Sequence, residues 1–327
     1  MKLSIIIPCY NAEKTIKKCF DSLINQEDHL LDIEVLIFND GSTDNSLGII
    51  EEVTSNHKDI CKIFNLENQG VYRVRNLALK KATGDFIWFI DADDFVAPNS
   101  LSLIKKNIDH KIDIVNFGYK IENRSHYLKE MYPPKINGII TGIEFLDKND
   151  GRLYLWNNVY NLNFLKSQNI SFLAKSKSLE DSLFNLEAYS KAKRVKYLHN
   201  LLYYYIFNPN SISKTNSLEN RLKQGESSIN VHFNMKILRD SFELNTIEYN
   251  VINHLLNKSI LGFFFSLFKE RYPIEYCKNI FQLYKKEAML PIKKHRQFNL
   301  KAKLFRLLAN NKFLFLTLCK LNFLRKK

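Results

Sequence analysis

Phe86 to Asp94 reads Phe-Ile-Trp-Phe-Ile-Asp-Ala-Asp-Asp. An apolar, aromatic run of strand length delivers Asp91, Asp93 and Asp94 together at its end, where carboxylates can hold a divalent cation beneath a nucleotide diphosphate. Three acids at one tip repel one another unless a cation is near. The bland alternative is a polar turn that caps a helix starting near Pro98. Other segments share this mix of acids, amides and turn residues. Asn39 to Asp44 reads Asn-Asp-Gly-Ser-Thr-Asp: Gly41 permits an unusual backbone angle and Thr43 or Asp44 can cap a helix, but neither role demands an acid at Asp40. That carboxylate can accept from a base N–H or a ribose hydroxyl. Pro8-Cys9-Tyr10-Asn11 sets an aromatic where it can lie on a nucleobase or pack on its own helix. Gly70 precedes Arg75-Asn76, and a guanidinium there can reach a diphosphate, orient Asp91 or simply face water. Further on, Glu180-Asp181 is an acidic pair at the start of a helical pattern, a place that the helix dipole favours for acids in any case.

The elements that must position these residues alternate in period. Leu3 to Pro8, Ile33 to Phe38, Cys61 to Leu66 and Phe86 to Ile90 are short runs rich in β-branched and aromatic residues. Between them, Ala12 to Asn25, Asp44 to Ser55 and Val71 to Ala82 carry helical spacing, with Gly84 a plausible C-cap. Strand and helix in alternation, with nearly continuous apolar strands, predict a parallel sheet covered on both faces. Ligands of such sheets bind beyond the carboxyl ends of the strands, where every segment named above falls. The pattern then mixes: a helix to about Ile108, a strand at Ile112 to Tyr119, hairpin-like segments through Tyr132-Pro133-Pro134, and helices at Gly142 to Lys148 and Asp181 to Lys191. Strands follow at Arg194 to Tyr197 and Leu201 to Phe207, and from Asn216 the chain reads as helical throughout.

With 327 residues, 45% of them apolar, the chain can build one large domain or two smaller ones. Five widely spaced cysteines without a Cys-x-x-Cys pair suggest neither a disulfide framework nor a zinc site, and fit a reducing compartment. Met1-Lys2 leads straight into a strand, which leaves no room for a signal peptide. No uninterrupted apolar run reaches the roughly 18 to 20 residues of a spanning helix, so an integral membrane protein is not expected. The formal charge of +14 is concentrated: from Arg271 to Lys327 there are fifteen Lys and Arg against Glu275 and Glu287. A near-neutral body with a basic end suggests a catalytic unit with a surface-docking appendage rather than a nucleic-acid binder. In the last segment Leu314, Leu318, Leu321 and Leu324 share a helical face. Such a helix can dock on its own catalytic domain or lie on anionic lipid.

Ser-Ile-Ile-Ile-Pro-Cys-Tyr-Asn, then Asn-Asp-Gly-Ser-Thr-Asp, then Asn-Gln-Gly-Val-Tyr-Arg-Val-Arg-Asn, then Phe-Ile-Asp-Ala-Asp-Asp resemble, in this order, the nucleotide-sugar-binding half of family-2 glycosyltransferases. The resemblance implies a GT-A fold: a Rossmann-like, mostly parallel α/β sheet with helices on both faces, to which the helical pattern from Asn216 adds a C-terminal helical extension. It implies a nucleotide-sugar half over residues 1–100 and an acceptor half over 101–215, while the charge and helical pattern mark a basic helical region over 216–327. Donor binding then falls to Pro8, Tyr10, Asn11, Asp40, Gly70, Arg75, Asp91, Ala92 and Asp93. Tyr10 and Asp40 hold the base, Asp91 approaches the ribose, and Asp93 binds Mn²⁺ or Mg²⁺. Asp181 takes the role of catalytic base, with Glu180 the lesser candidate. The implied reaction is inverting, metal-dependent transfer of a hexose-type sugar from a nucleotide sugar, UDP-linked in most relatives, to a glycan of capsule or lipopolysaccharide type. The implied place is the cytoplasm or the cytoplasmic face of the inner membrane, with a free or lipid-linked glycan as acceptor and no nucleic-acid partner. Tyr203 to Ser213 resembles the segment that closes over the donor diphosphate. Here Ile206 stands where many relatives carry Arg, and Asn158 where a basic residue is common. The rival readings are a sugar-nucleotide hydrolase or nucleotidyltransferase, and a non-catalytic binding or scaffold protein.

Overall fold

Runs of β-branched and aromatic residues become strands where their alternating side chains find two surfaces to pack on. The computed structural model describes residues 1–26, 32–123, 127–134, 138–149, 153–173, 180–207, 217–295 and 298–324. They divide into two compact units, one of residues 1–173 with 180–207, the other from 217 onward. In the first unit β1 (Leu3–Cys9), α1 (Ile16–Ile24), β2 (Ile33–Asp40), α2 (Ser46–Thr54), β3 (Cys61–Leu66), α3 (Val71–Lys81) and β4 (Phe86–Phe89) alternate. There follow β5 (Phe95–Val96), α4 (Ser100–Lys105), β6 (Ile114–Glu122), β7 (Tyr127–Met131), β8 (Ile139–Ile140) and α5 (Gly142–Lys148). β9 (Asn158–Asn161), α6 (Leu162–Ser167), α7 (Glu180–Lys191) and β10 (Val195–Ile206) complete it.

The described strands form one sheet in the order β3-β2-β1-β4-β9-β6-β10-β5, with β7 against β6 and β8 against β10. β1 to β4, β6 and β10 run one way; β5, β7, β8 and β9 run the other. This is the mostly parallel α/β architecture expected. Ile5, Ile7, Val35, Ile37, Phe86 and Trp88 share one core with Ile16, Phe20, Leu23 and Ile50 of α1 and α2. On the opposite face Phe89 meets Phe172 at 5.5 Å and Phe184 of α7 at 6.3 Å. Each such side chain contributes about 1.5–3 kcal/mol when fully buried, so burial on both faces holds the strand register firmly. In that register Cys9 lies opposite Asn39, which sets the loops after β1 and β2 side by side.

Several local expectations are corrected. The two strands expected around 194–207 are one strand, β10, whose pairing with β6 shifts between Leu198 and Tyr203 as exposed His199 and Asn200 pass. α3 closes at Ala82 in extended backbone, and Gly84 is instead a close approach, where a Cβ would stand 2.7 Å from Ser4 Oγ. The two-residue strands β5 and β8, β9 and the short α6 were not anticipated. The cysteines at 9, 19, 61, 277 and 319 are all free and buried.

The second unit is helical among its described residues: α8 (Leu218–Asp240), α9 (Ile247–Lys269), α10 (Ile274–Lys286), α11 (Leu300–Asn310) and α12 (Lys312–Leu324). Ser217, Thr246 and Asn299 cap α8, α9 and α11 through their side chains. α9 is long and apolar enough by length and composition to cross a membrane, with mean hydropathy 1.3, although polar residues interrupt it. Val251, Ile252, Leu255, Leu256, Ile260 and Phe264 are buried, making it the core helix of this unit. On α12 the buried residues are Phe315 and Cys319, whereas Leu314 and Leu321 of the face read from sequence are exposed.

Candidate functional site

The loops beyond β1, β2 and β4 meet, and side chains lace the first two together. Asn11 takes a positive φ of 52°, which Asn tolerates better than most residues, and its Oδ1 accepts from the Thr43 amide at 2.8 Å. Ser42 Oγ accepts the Asn11 amide at 3.0 Å, and Ser46 Oγ accepts that of Ala12 at 2.7 Å. Asp44 Oδ1 accepts from the Ser46 hydroxyl at 2.5 Å and the Ser46 amide at 3.0 Å, and its Oδ2 from the Glu13 amide at 3.1 Å; against the opposing effect of burial these bonds, the hydroxyl's first, hold its carboxyl below the ordinary range. These loops enclose a cavity of about 440 Å³, lined by Pro8, Tyr10, Asn11, Asp91, Ala92 and Asp93 among others. Six of the expected donor-binding residues therefore share one wall. Tyr10 is 49% exposed, its ring available to a flat ligand. Lys14, which the sequence reading passed over, is the cation among the described lining residues. Its position three residues past Asn11 on the same loop was the available signal.

Asp91, Asp93 and Asp94 each bring a carboxylate oxygen within 4.8 Å of the others. Asp93 keeps solvent contact, yet the protein crowding its carboxyl, helped by the charge on Asp91, pushes it up to about 6. Asp94 is buried, and burial first, then repulsion from Asp91 and Asp93, raises it well above the usual carboxylate range. Its oxygens are engaged: Tyr203 Oη donates to Oδ2 at 2.8 Å and the Ile206 amide to Oδ1 at 2.7 Å. The Asp91 amide in turn donates to Tyr203 Oη at 3.1 Å. A set of hard carboxylate oxygens that strain against one another fits Mg²⁺ or Mn²⁺. Asp94 is already committed to β10, which leaves Asp91 and Asp93 as the natural ligands.

Arg75 joins this cluster to α7. Buried beneath the loops, it donates from Nη1 to Asp181 Oδ1 at 2.5 Å and from Nη2 to Asp91 Oδ1 at 3.2 Å. The guanidinium fork suits two carboxylates on different elements, as a lysine would not. Asp181 sits in the first turn of α7, about a quarter exposed, and its carbonyl accepts from Asn185 Nδ2 at 2.9 Å. Tyr160 Oη donates to Asn185 Oδ1 at 2.6 Å, which fixes the start of the helix against β9.

Other expected residues stand further back. Asp40 is buried and its oxygens accept from the amides of Gln69 and Gly70 at 2.9 and 3.0 Å; neither Asp40, Gly70 nor Arg75 lines the cavity. Gly70, at φ 89°, opens α3 in a conformation that glycine adopts most easily. Asn158 is sealed in a polar knot, accepting from Asn116 Nδ2 at 2.8 Å and Tyr189 Oη at 2.5 Å. A charged residue there would have no water, which accounts for the amide. The Glu180 side chain and Asn208 to Ser213 lie outside the described residues.

Residues 4–158 match the family model described as Glycosyl transferase family 2. The chain is 33% identical over 221 residues to the uncharacterized glycosyltransferase EpsJ of Bacillus subtilis, covering 65% of this chain and 63% of EpsJ. It is 33% identical over 210 residues to the poly(ribitol-phosphate) beta-N-acetylglucosaminyltransferase TarS of Staphylococcus aureus, covering 63% of this chain and 35% of TarS. The alignments thus span less than two thirds of either relative. Residues 1–349 of S. aureus TarS, solved in complex with UDP-GlcNAc, share the fold with TM-score 0.72 at 23% identity, covering 98% of this chain and 91% of that one.

Proposed function

We propose that this chain, whose residues 4–158 match the Glycosyl transferase family 2 model, moves a hexose-type sugar from a UDP-sugar to a hydroxyl of a bacterial surface glycan, free or lipid-linked, with inversion at the sugar carbon. The observation that carries this reading is the Arg75 fork, which ties Asp181, the candidate base, to Asp91 of the acidic cluster. The relatives lend weight to the donor and acceptor classes: TarS is named for N-acetylglucosaminyl transfer to poly(ribitol phosphate), and its fragment was solved with UDP-GlcNAc.

In this reading Tyr10 lies on the base, with Pro8, Asn11 and Ala92 forming the wall beside it. Asp40 acts from behind, fixing Gln69 and Gly70 so that the edge of the nucleotide site keeps its shape. Asp91 faces the ribose and, with Asp93, would hold Mn²⁺ or Mg²⁺. When bound, that cation stabilises negative charge on the departing diphosphate as a Lewis acid. Lys14 adds a second positive charge on the same side. Asp181 takes the proton of the acceptor hydroxyl while its oxygen bonds to the sugar C1 on the face opposite the diphosphate. The C1–O bond to UDP breaks in the same event and its electron pair leaves with the nucleotide. Arg75 keeps the Asp181 carboxylate aimed across the site and counters its repulsion with Asp91.

Asp181→Asn tests the proposal. With UDP-sugars and a surface-glycan acceptor, transfer should fall by about 10²- to 10⁴-fold, the usual scale of general-base catalysis, while metal-dependent UDP affinity measured by calorimetry is unchanged. Wild-type turnover in that variant removes the base assignment. Absence of metal-dependent UDP affinity in the unmodified protein removes the transferase reading and leaves a scaffold or binding protein.

A further inference from the structure

Helix α11 presents Leu300, Leu304 and Leu307 outward at 72, 55 and 57% exposure, while Ala309 on its opposite side is fully buried. At 100° per residue the three leucines fall within one narrow stripe, with Lys303 on one flank and Lys301 on the other. α12 repeats the design: Phe315 and Cys319 face inward, whereas Phe313 is 76% exposed and Leu314 and Leu321 share its outer arc, next to Lys320. Phe265 of α9 packs edge-on against Phe305 on the inward side of α11 at 5.3 Å, which holds that side against the unit and leaves the leucine stripe outward. A helix that only closes a core has no use for a second apolar face turned to water, and exposed Leu and Phe at this density mark a docking surface.

The charge around it selects the occupant. From residue 288 to the end there are eleven Lys and Arg and no Asp or Glu. Two copies of such a surface repel each other, and a soluble polyanion would satisfy the lysines but not the leucines. A bilayer of anionic lipids satisfies both, with apolar side chains entering the acyl boundary and ammonium groups at the phosphates. We infer that the outward faces of α11 and α12 form a peripheral docking surface for anionic membrane, with Leu300, Leu304, Leu307 and Phe313 inserting and Lys301, Lys303 and Lys320 meeting the headgroups. The inference stands independently of the transfer chemistry.

Vesicle flotation of the full chain tests it, using phosphatidylcholine alone and phosphatidylcholine with about a quarter phosphatidylglycerol, at low and high salt. The expected result is binding to the anionic vesicles alone, weakened by salt. It should fall on the order of tenfold or more in Lys301→Glu/Lys303→Glu, and similarly in Leu304→Ser/Leu307→Ser. Lys301, Leu304 and Leu307 are exposed and Lys303 is half-buried, and an unchanged melting temperature verifies that the variants fold. Equal binding to both vesicle types, or none, overturns the inference. Salt-sensitive binding that the leucine variant retains in full overturns it in favour of a purely ionic polyanion partner. A dimer in sedimentation that the leucine variant dissociates overturns it in favour of a second copy. UDP calorimetry on the same samples keeps this outcome separate from any failure of the transferase reading.

Discussion

Arg75 concentrates the electrostatics of the site in one side chain. It is 4% exposed and lies between carboxylates of α7 and of the loop after β4. Removing it takes away the guanidinium that these two acids share. Arg75→Met should therefore cost about 1–3 kcal/mol, less than for a fully buried pair because both acids keep contact with water, read as a lower urea midpoint. Arg75→Lys keeps the charge but not the fork, so it should retain most stability while losing transfer by about tenfold or more, with KM for donor less affected than kcat. The sequence made the residue types of this site legible, because Asp91, Asp93 and Asp181 stand at strand and helix ends. It also offered Arg75 as a partner for Asp91. That the same guanidinium reaches Asp181 was not legible, since it depends on a contact between residues 106 positions apart. Nor was the burial of Asp40, whose oxygens are spent on two backbone amides that no motif advertises.

Elements with a long apolar signature, β1 to β4 and α1 to α3, could be read locally because periodicity and burial agree in them. β5, β8 and β9 could not, because so short a strand exists only by virtue of its partner. β10 was split in the reading because His199 and Asn200 interrupt its pattern, although hydrogen bonding runs on past them. Two substitutions probe how these elements hold the loops. Gly41 has φ 67° and faces the Asn68 amide, which an added Cβ would approach to 2.6 Å. Gly41→Ala should lower stability by about 1–3 kcal/mol in chemical denaturation and weaken UDP binding with it. Tyr203→Phe removes the hydroxyl that accepts from the Asp91 amide and donates to Asp94. Its expected cost is about 1–3 kcal/mol, because Asp94 stays buried with one donor fewer.

At the scale of the whole molecule, each unit has its own determinants of stability. In the second, His232 is fully buried, with Nδ1 2.6 Å from Tyr284 Oη and Nε2 2.8 Å from Ser259 Oγ, and burial lowers it from 6.5 to about 3. Between those values the unfolded chain binds a proton that the folded one does not. Stability thus falls as pH drops from about 6.5 toward 3, by up to about 1.4 kcal/mol per pH unit. Denaturation of the wild type and His232→Gln at pH values on either side of about 6 should show a smaller acid loss in the variant. In the first unit, the strand that grips the acidic loop arrives last: β10 supplies Tyr203 and the Ile206 amide to Asp94, and pairs with β5 directly after it. The nucleotide-site motifs are complete by residue 94, yet the scaffold that keeps them in place is finished only by residue 206. The chain is thus not divisible where its signature sequences stop: a truncation ending at residue 158 would keep every donor motif and lose the clasp that shapes them.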